Sequence, residues 1–315
     1  AELDWLREHA VVDASTLAWL ANYRFSGSIS GYREGEIYFP GSPVLTVEAS
    51  FAEGVVLETL ALSVFNHDSA VATAAARMSV AAGSRPLAEM GSRRAGEHSA
   101  IAAARAAFIT GFDATSNMEA GRRWGIPTMG TAAHAYTLLH DSEEQAFRSQ
   151  VAAQGTGTTL LVDTYDIVQG VETAIRVAGT ALGGVRIDSG DLPVVAAQVR
   201  AQLDALGATN TRITVTSDLD EHAIAALAAS PVDAYGVGTS VVTGSGSPTA
   251  GMVYKLVARQ DSDGAWVSVA KASADKASKG GRKAAFRRLR AGVATAEVIA
   301  VSDGFEPLAT VPEYP

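Results

Sequence analysis

The chain contains no cysteine among its 315 residues. That absence excludes disulfide bonds, thiol nucleophiles and cysteine-bound zinc in one stroke. Aromatic residues are sparse at 7%, and charged residues make up only 19%. Basic residues are outnumbered, 25 against 34 acidic, for a net charge of -9. That balance argues against a general binder of nucleic acid or of a membrane surface. No apolar run approaches the roughly 18 residues that a membrane span needs. The opening stretch AELDWLREHA is charged from its second residue and does not read as a secretory signal. A cytoplasmic location is the expectation.

What the chain does have is length for a sizeable core and an apolar fraction of 47%. The first part, through GSISGYREGEIYFPGSPVLTVEASF, alternates apolar and polar residues between Gly and Pro punctuation, which predicts two or three short antiparallel strands. A single long helix is then expected over VVLETLALSVFNHDSAVATAAARMSVAAG, closed by a C-capping glycine.

From RPLAEMGS onward the rhythm changes. Short apolar runs (RPLAEM, FDATSN, IPTMGT, TTLLVD, GVRID, TRITVT, VDAYGVG) alternate with helical patterns. One of these helices places Val195, Val199, Leu203 and Leu206 on one face. Six or seven such units predict a parallel sheet wound into an α/β barrel, complete or irregular. After Val253 the chain turns strand-like again in MVYKLVARQ and AWVSVAKAS. The expected organisation is therefore α/β throughout. A barrel is expected over 56–249, with the two chain ends, 1–55 and 250–315, sharing a second domain. No solenoid period is present.

In parallel α/β barrels ligands gather at the carboxyl ends of the strands. Each apolar run here ends in residues suited to anions or sugars: Gly91-Ser92-Arg93-Arg94, Thr115-Ser116-Asn117, Gly130-Thr131 leading to His134, Asp163-Thr164, Asp188-Ser189-Gly190-Asp191, Ser217-Asp218 and Gly238-Thr239-Ser240. Gly-Thr-Ser at a helix start offers backbone N–H groups and a hydroxyl to phosphate. Asp188 and Asp191 can hold ribose hydroxyls or Mg²⁺. Arginine pairs bidentately with phosphate or carboxylate. Taken singly, each has a plain alternative: Asp-Ser-Gly-Asp is an ordinary capping sequence, Gly-Thr-Ser a common turn, Arg93-Arg94 a solvated pair, and a lone histidine a packing residue. Their recurrence at successive strand ends favours a phosphate-and-sugar site. His9, His67, His98, His140 and His222 carry no partner pattern, and no metal-ligand spacing occurs.

The stretches EMGSRR, DATSNMEAGRRWGIPTMGTAAHAYTLL, GVRIDSGDL and GVGTSVVTGSGSPTAGMVYKLV, in that order, resemble nicotinate phosphoribosyltransferases, actinobacterial ones above all. The resemblance runs from GYREGEIYFPGSPVL to KGGRKAAFRRLR. It implies an enzyme that joins nicotinic acid to phosphoribosyl pyrophosphate, yielding nicotinate mononucleotide and pyrophosphate in NAD salvage. It also implies an irregular α/β barrel joined to an α/β sandwich domain built from both chain ends, ATP as co-substrate through a phosphohistidine, Mg²⁺ with the phosphates, and a homodimer with shared active sites.

By the same resemblance His134 is the phosphoryl acceptor and Thr131 a nicotinate contact, with Arg186 near the nicotinate carboxylate. Thr239 and Gly238 contact phosphoribosyl pyrophosphate, and Arg93 and Arg94 line the pocket. Asp188 steadies the oxocarbenium charge or the ribose hydroxyls, beside Ser189 and Gly190. The metal ligands are left unassigned. Family chains carry a ring-stacking tyrosine on a segment upstream of AELDWL. Nicotinamide and quinolinate phosphoribosyltransferases, and a truncated non-catalytic relative, are the rival readings. The basic run Lys271 to Arg290 holds eight of the 25 lysines and arginines. It reads either as a solvated surface or as a phosphate-facing flap.

Overall fold

The computed structural model describes residues 1–272 and 278–302. Part of the basic run (273–277) and the end of the expected return segment (303–315) lie outside the described residues. The chain divides into two compact units. One is Ser63–Met252; the other joins Ala1–Leu62 to the described residues from Val253 onward.

The second unit begins with two helices that the sequence reading did not anticipate, Glu2–Glu8 and Ala14–Ala21, the latter capped by the Asp13 carboxylate on Thr16 N–H. Strands β1 (Ser28–Gly31) and β2 (Leu45–Glu48) pair antiparallel. The expected long helix is broken. Ser50 and Glu53 form a capping box that starts a separate short helix, Phe51–Val56, and Glu58–Ala82 follows after Leu57. It ends before Gly83, whose φ is +63°.

In the Ser63–Met252 unit six parallel strands form one sheet: β3 (Leu87–Glu89), β4 (Ala114–Thr115), β5 (Thr159–Leu161), β6 (Gly184–Ile187), β7 (Arg212–Val215) and β8 (Ala234–Val237). Their order is β4-β3-β8-β7-β6-β5, an arc of parallel neighbours rather than a closed ring. Beyond β4 the chain adds only a bridge, Thr115 to Thr128, in place of the seventh strand expected at IPTMGT. Pro127 has no N–H to extend a ladder there, and Gly130 follows two residues later.

Helices pack on one face of this arc, where alternate strand positions carry apolar side chains. Val162, Val185, Ile187, Ile213, Val215 and Val237 are fully buried with Val71, Ala74 and Met78 of the long helix. In the helix Leu192–Ala205 the buried face is Ala196, Val199 and Leu203. Leu206 lies outside that face, at the C-cap and 38% exposed.

After Val253 the strand-like stretch MVYKLVARQ yields only β9 (Ala258–Gln260), paired with β10 (Trp266–Ser268). The basic run forms a long antiparallel hairpin, β11 (Arg282–Arg290) and β12 (Val293–Ser302). In it Glu297 accepts from Tyr32, from Ser42 at 2.7 Å and from Arg287 at 2.9 Å. That network ties the chain after β1 to the hairpin within the same unit and makes Arg287 structural.

Candidate active site

The carboxyl ends of β5, β6, β7 and β8 converge, as parallel winding requires. Arg186 sits in β6 between the buried Val185 and Ile187, so its side chain leaves the strand on the opposite face. Its guanidinium donates from Nε to Thr216 Oγ1 at 2.8 Å and from Nη1 to Thr131 Oγ1 at 2.7 Å. Nη2 stands 3.1 Å from Asp188 Oδ1. Thr216 in turn donates to that same oxygen. The contacts leave donors on both terminal nitrogens for a carboxylate or phosphate.

His134 begins the short helix His134–Leu139, which follows the Gly130-Thr131 turn. Its Nδ1 lies 3.2 Å from Thr164 Oγ1, while Nε2 lies 3.7 Å from Asp188 Oδ2 and 4.0 Å from Asp163 Oδ1. The side chain is 42% exposed, whereas that of Asp163 is 1% exposed. Asp163 Oδ2 accepts from Asp188 N–H at 2.8 Å and from Ser189 Oγ at 2.7 Å. Its Oδ1 is buried without a hydrogen-bond partner. Gly190, with φ at +87°, turns the chain after Ser189 toward the helix Leu192–Ala205, in a region closed to most side chains.

Electrostatically Asp188 is held ionised. Burial works against its charge, but the Thr216 hydroxyl, Arg186 and His134 outweigh it and lower its pKa. Glu143 goes the other way: burial, then Asp163 and Asp166, push it up to about 7.

A cavity of about 200 Å³ opens beside Arg186 and Asp188, and Arg93, Arg94, Gly238 and Thr239 also line it. Arg186 therefore joins the two groups of expected site residues. Thr131 and Asp188 hold its guanidinium, His134 stands 3.7 Å from Asp188, and Ser189 and Gly190 follow Asp188 in the chain. The arginine pair and the Gly-Thr step share its cavity. The sequence reading named Asp163, Thr164, Thr216, Ser217 and Asp218 only as strand ends and did not select them. Thr216, Ser217 and Asp218 line the cavity. Ser217 has φ at +128°, a conformation that non-glycine residues rarely adopt and one that clusters at functional sites.

A second cavity, about 380 Å³, is lined by Glu143, Glu144, Tyr165, Asp166 and Arg176 among others, and holds none of the expected residues. Three of the other histidines make local contacts: His67 pairs with Asp68 at 3.0 Å, and His9 and His140 contact the backbone four residues back. Among the described residues no group of three or more His, Asp or Glu is placed to hold a metal ion, and no helix is long and apolar enough to cross a membrane.

Comparison with known proteins supplies the family. Residues 1–66 match the model of the nicotinate phosphoribosyltransferase (NAPRTase) N-terminal domain. The chain is 61% identical over 297 residues to the nicotinate phosphoribosyltransferase pncB1 of Mycobacterium tuberculosis, covering 91% of this chain and 65% of that protein. It is 41% identical over 266 residues to the nicotinate phosphoribosyltransferase of Bacillus subtilis, covering 81% of this chain and 54% of that one. The chain thus spans less than two thirds of the length of these relatives.

Two solved structures share the fold. The nicotinate-nucleotide pyrophosphorylase of Pyrococcus furiosus matches with a TM-score of 0.73 at 25% identity, covering 93% of this chain and 72% of that one. The human nicotinic acid phosphoribosyltransferase matches with a TM-score of 0.74 at 24% identity, covering 98% and 70%. By sequence and by fold, this chain belongs to the nicotinate phosphoribosyltransferase family.

Proposed function

We propose that the chain joins nicotinic acid to phosphoribosyl pyrophosphate, releasing nicotinate mononucleotide and pyrophosphate, and couples the reaction to ATP through phosphorylation of His134. One observation carries the reading. Arg186 is gripped by Thr131, Thr216 and Asp188, the last of which stands 3.7 Å from His134 Nε2, and it opens on the cavity that Arg93, Arg94, Gly238 and Thr239 line.

The chemistry suits those groups. Positive charge develops at the sugar carbon as pyrophosphate leaves, so the work is positioning and anion stabilisation rather than proton abstraction. Arg186, with two nitrogens still able to donate, fits the nicotinate carboxylate. Asp188, ionised beside it, fits the ribose hydroxyls or the oxocarbenium charge. Arg93, Arg94 and the backbone at Gly238-Thr239 fit the phosphates. Mg²⁺, when bound, would neutralise phosphate charge. Asp188 and Asp218 are the carboxylates lining the cavity that would hold it, since Mg²⁺ is ordinarily held by one or two carboxylates with substrate phosphates and water.

A phosphoryl group on His134 would add negative charge close to Asp163 and Asp188. That crowding gives ATP a means of shifting the site between states of different substrate affinity. A cytoplasmic homodimer belongs to the same reading, and sedimentation of the purified chain tests its second half.

The decisive assay offers nicotinate, nicotinamide and quinolinate separately with phosphoribosyl pyrophosphate and Mg²⁺, with and without ATP. Turnover of nicotinate, stimulated by ATP, is expected. Turnover of either rival alone, or of none, would overturn the proposal.

A further inference from the structure

Glu89 is the last residue of β3, and it is completely buried. A carboxyl group shut inside a sheet is costly unless its oxygens are hydrogen-bonded. Here both are. One oxygen accepts from the Gly91 backbone N–H and the other from Thr115 Oγ1 at 2.6 Å. The contacts continue into a ring. Thr115 Oγ1 accepts from Asn117 N–H at 2.9 Å, and the Asn117 side-chain amide donates to Ser92 Oγ at 3.0 Å. Ser92 follows Gly91, so the ring closes through the loop that carries Arg93 and Arg94.

The third side of that loop is also fixed. Gly91 presses on the start of the segment after β8, where a Cβ would meet the Gly238 carbonyl oxygen at 2.7 Å as well as Val242. Only glycine fits there. Met90 N–H donates to the Val237 carbonyl at 2.7 Å, and Arg94 N–H to that of Gly91 at 2.8 Å. The arginine loop is thus pinned between the Glu89 carboxyl group and the Gly238-Thr239 turn, which lines the same cavity.

We propose that Glu89 is a positioning residue for phosphate recognition: it locks the first βα loop to the second and so sets where Arg93 and Arg94 stand in the cavity. The proposal rests on assigning that cavity to phosphoribosyl pyrophosphate. Glu89 itself does not line it. Burial raises the pKa of Glu89, against the pull of its two hydrogen bonds. The neutral acid can keep the same contacts by donating to Thr115, and so can an amide of the same shape.

The test measures binding of phosphoribosyl pyrophosphate with Mg²⁺ by calorimetry, alongside the KM for nicotinate and the melting temperature. The variants are Glu89→Gln, Glu89→Leu, Thr115→Val and the Glu89→Leu/Thr115→Val double. Loss of the ring is expected to weaken phosphoribosyl pyrophosphate about tenfold in Glu89→Leu and Thr115→Val, leaving the nicotinate KM within about threefold. Glu89→Gln is expected to stay within about threefold of the starting chain in both. The double variant should be little worse than the poorer single one, because both remove the same bond.

Unchanged binding in folded Glu89→Leu or folded Thr115→Val overturns the proposal. So does a parallel loss for both substrates, which a general structural role would give, or full additivity in the double variant. Should Glu89→Leu fail to fold, Thr115→Val carries the same decision. Binding without turnover in the unmodified chain would sink the assigned reaction while leaving this inference measurable; no binding at all would sink both.

Discussion

Asp163 Oδ1 lies 4.0 Å from His134 Nε2, buried and without a hydrogen-bond partner, while Oδ2 of the same carboxyl group is held by Asp188 N–H and Ser189 Oγ. One carboxyl group therefore both faces the histidine and braces the acidic turn after β6. An unpartnered carboxyl oxygen beside the imidazole stands where it can accept from the ring once the site closes on its ligands. Asp163→Asn keeps the shape and removes the charge. After incubation with γ-labelled ATP, acid-labile phosphate on the protein should fall about tenfold or more relative to the unmodified chain.

His134→Ala removes the proposed phosphoryl acceptor. Its expected signature is a basal rate that ATP no longer stimulates, together with no labelled protein phosphate. ATP stimulation that persists in this variant would assign the coupling to another residue.

Arg186 makes fork contacts that a lysine cannot copy, since Nε, Nη1 and Nη2 each have a separate partner. Arg186→Lys and Arg186→Ala should both raise the nicotinate KM, by about tenfold or more, because the loss leaves an unanswered carboxylate on the substrate. Steady-state kinetics at saturating phosphoribosyl pyrophosphate reads this directly.

Glu143 carries a pH signature. Burial, with Asp163 and Asp166 nearby, moves it from an ordinary carboxylate value to about 7. Between that ordinary range and about pH 7 the folded chain binds more protons than the unfolded one, so stability falls as pH rises through the interval. The contribution is complete at low pH and gone above about 7. Glu143→Gln should flatten the dependence of the melting temperature on pH between about 5 and 8, most visibly by raising it at the alkaline end. A slope identical to that of the unmodified chain would remove Glu143 as its source.

The βα rhythm was legible because buried strands and amphipathic helices leave different periods in the sequence, and the strand-end residues were legible because polar groups interrupt apolar runs there. Contacts across large separations were not. Nothing local ties Thr131 to Arg186, or Glu89 to Thr115; only the order in which strands lie side by side does so. Asp163 was passed over because Asp-Thr-Tyr-Asp reads as a strand end with a helix cap, a task that Asp166 performs through Gln169. Charge hid the β11–β12 hairpin, since eight basic residues between Lys271 and Arg290 invite a solvated reading. A usable signal was present in Ala291-Gly292, with φ of +49° and +79°, between two alternating segments.

Arg186 shares its strand with Val185 and Ile187, which point the other way into the core. Sliding β6 by a single residue would turn the guanidinium into the helix layer and an isoleucine toward the cavity. Misalignment here would bury a charge among aliphatic groups as well as empty the active site of its cation, so a mispaired chain is disfavoured by its own folding energy before it could persist as a folded but inert protein. Quality control over the chemistry is, in this strand, delegated to two aliphatic side chains that never meet a ligand.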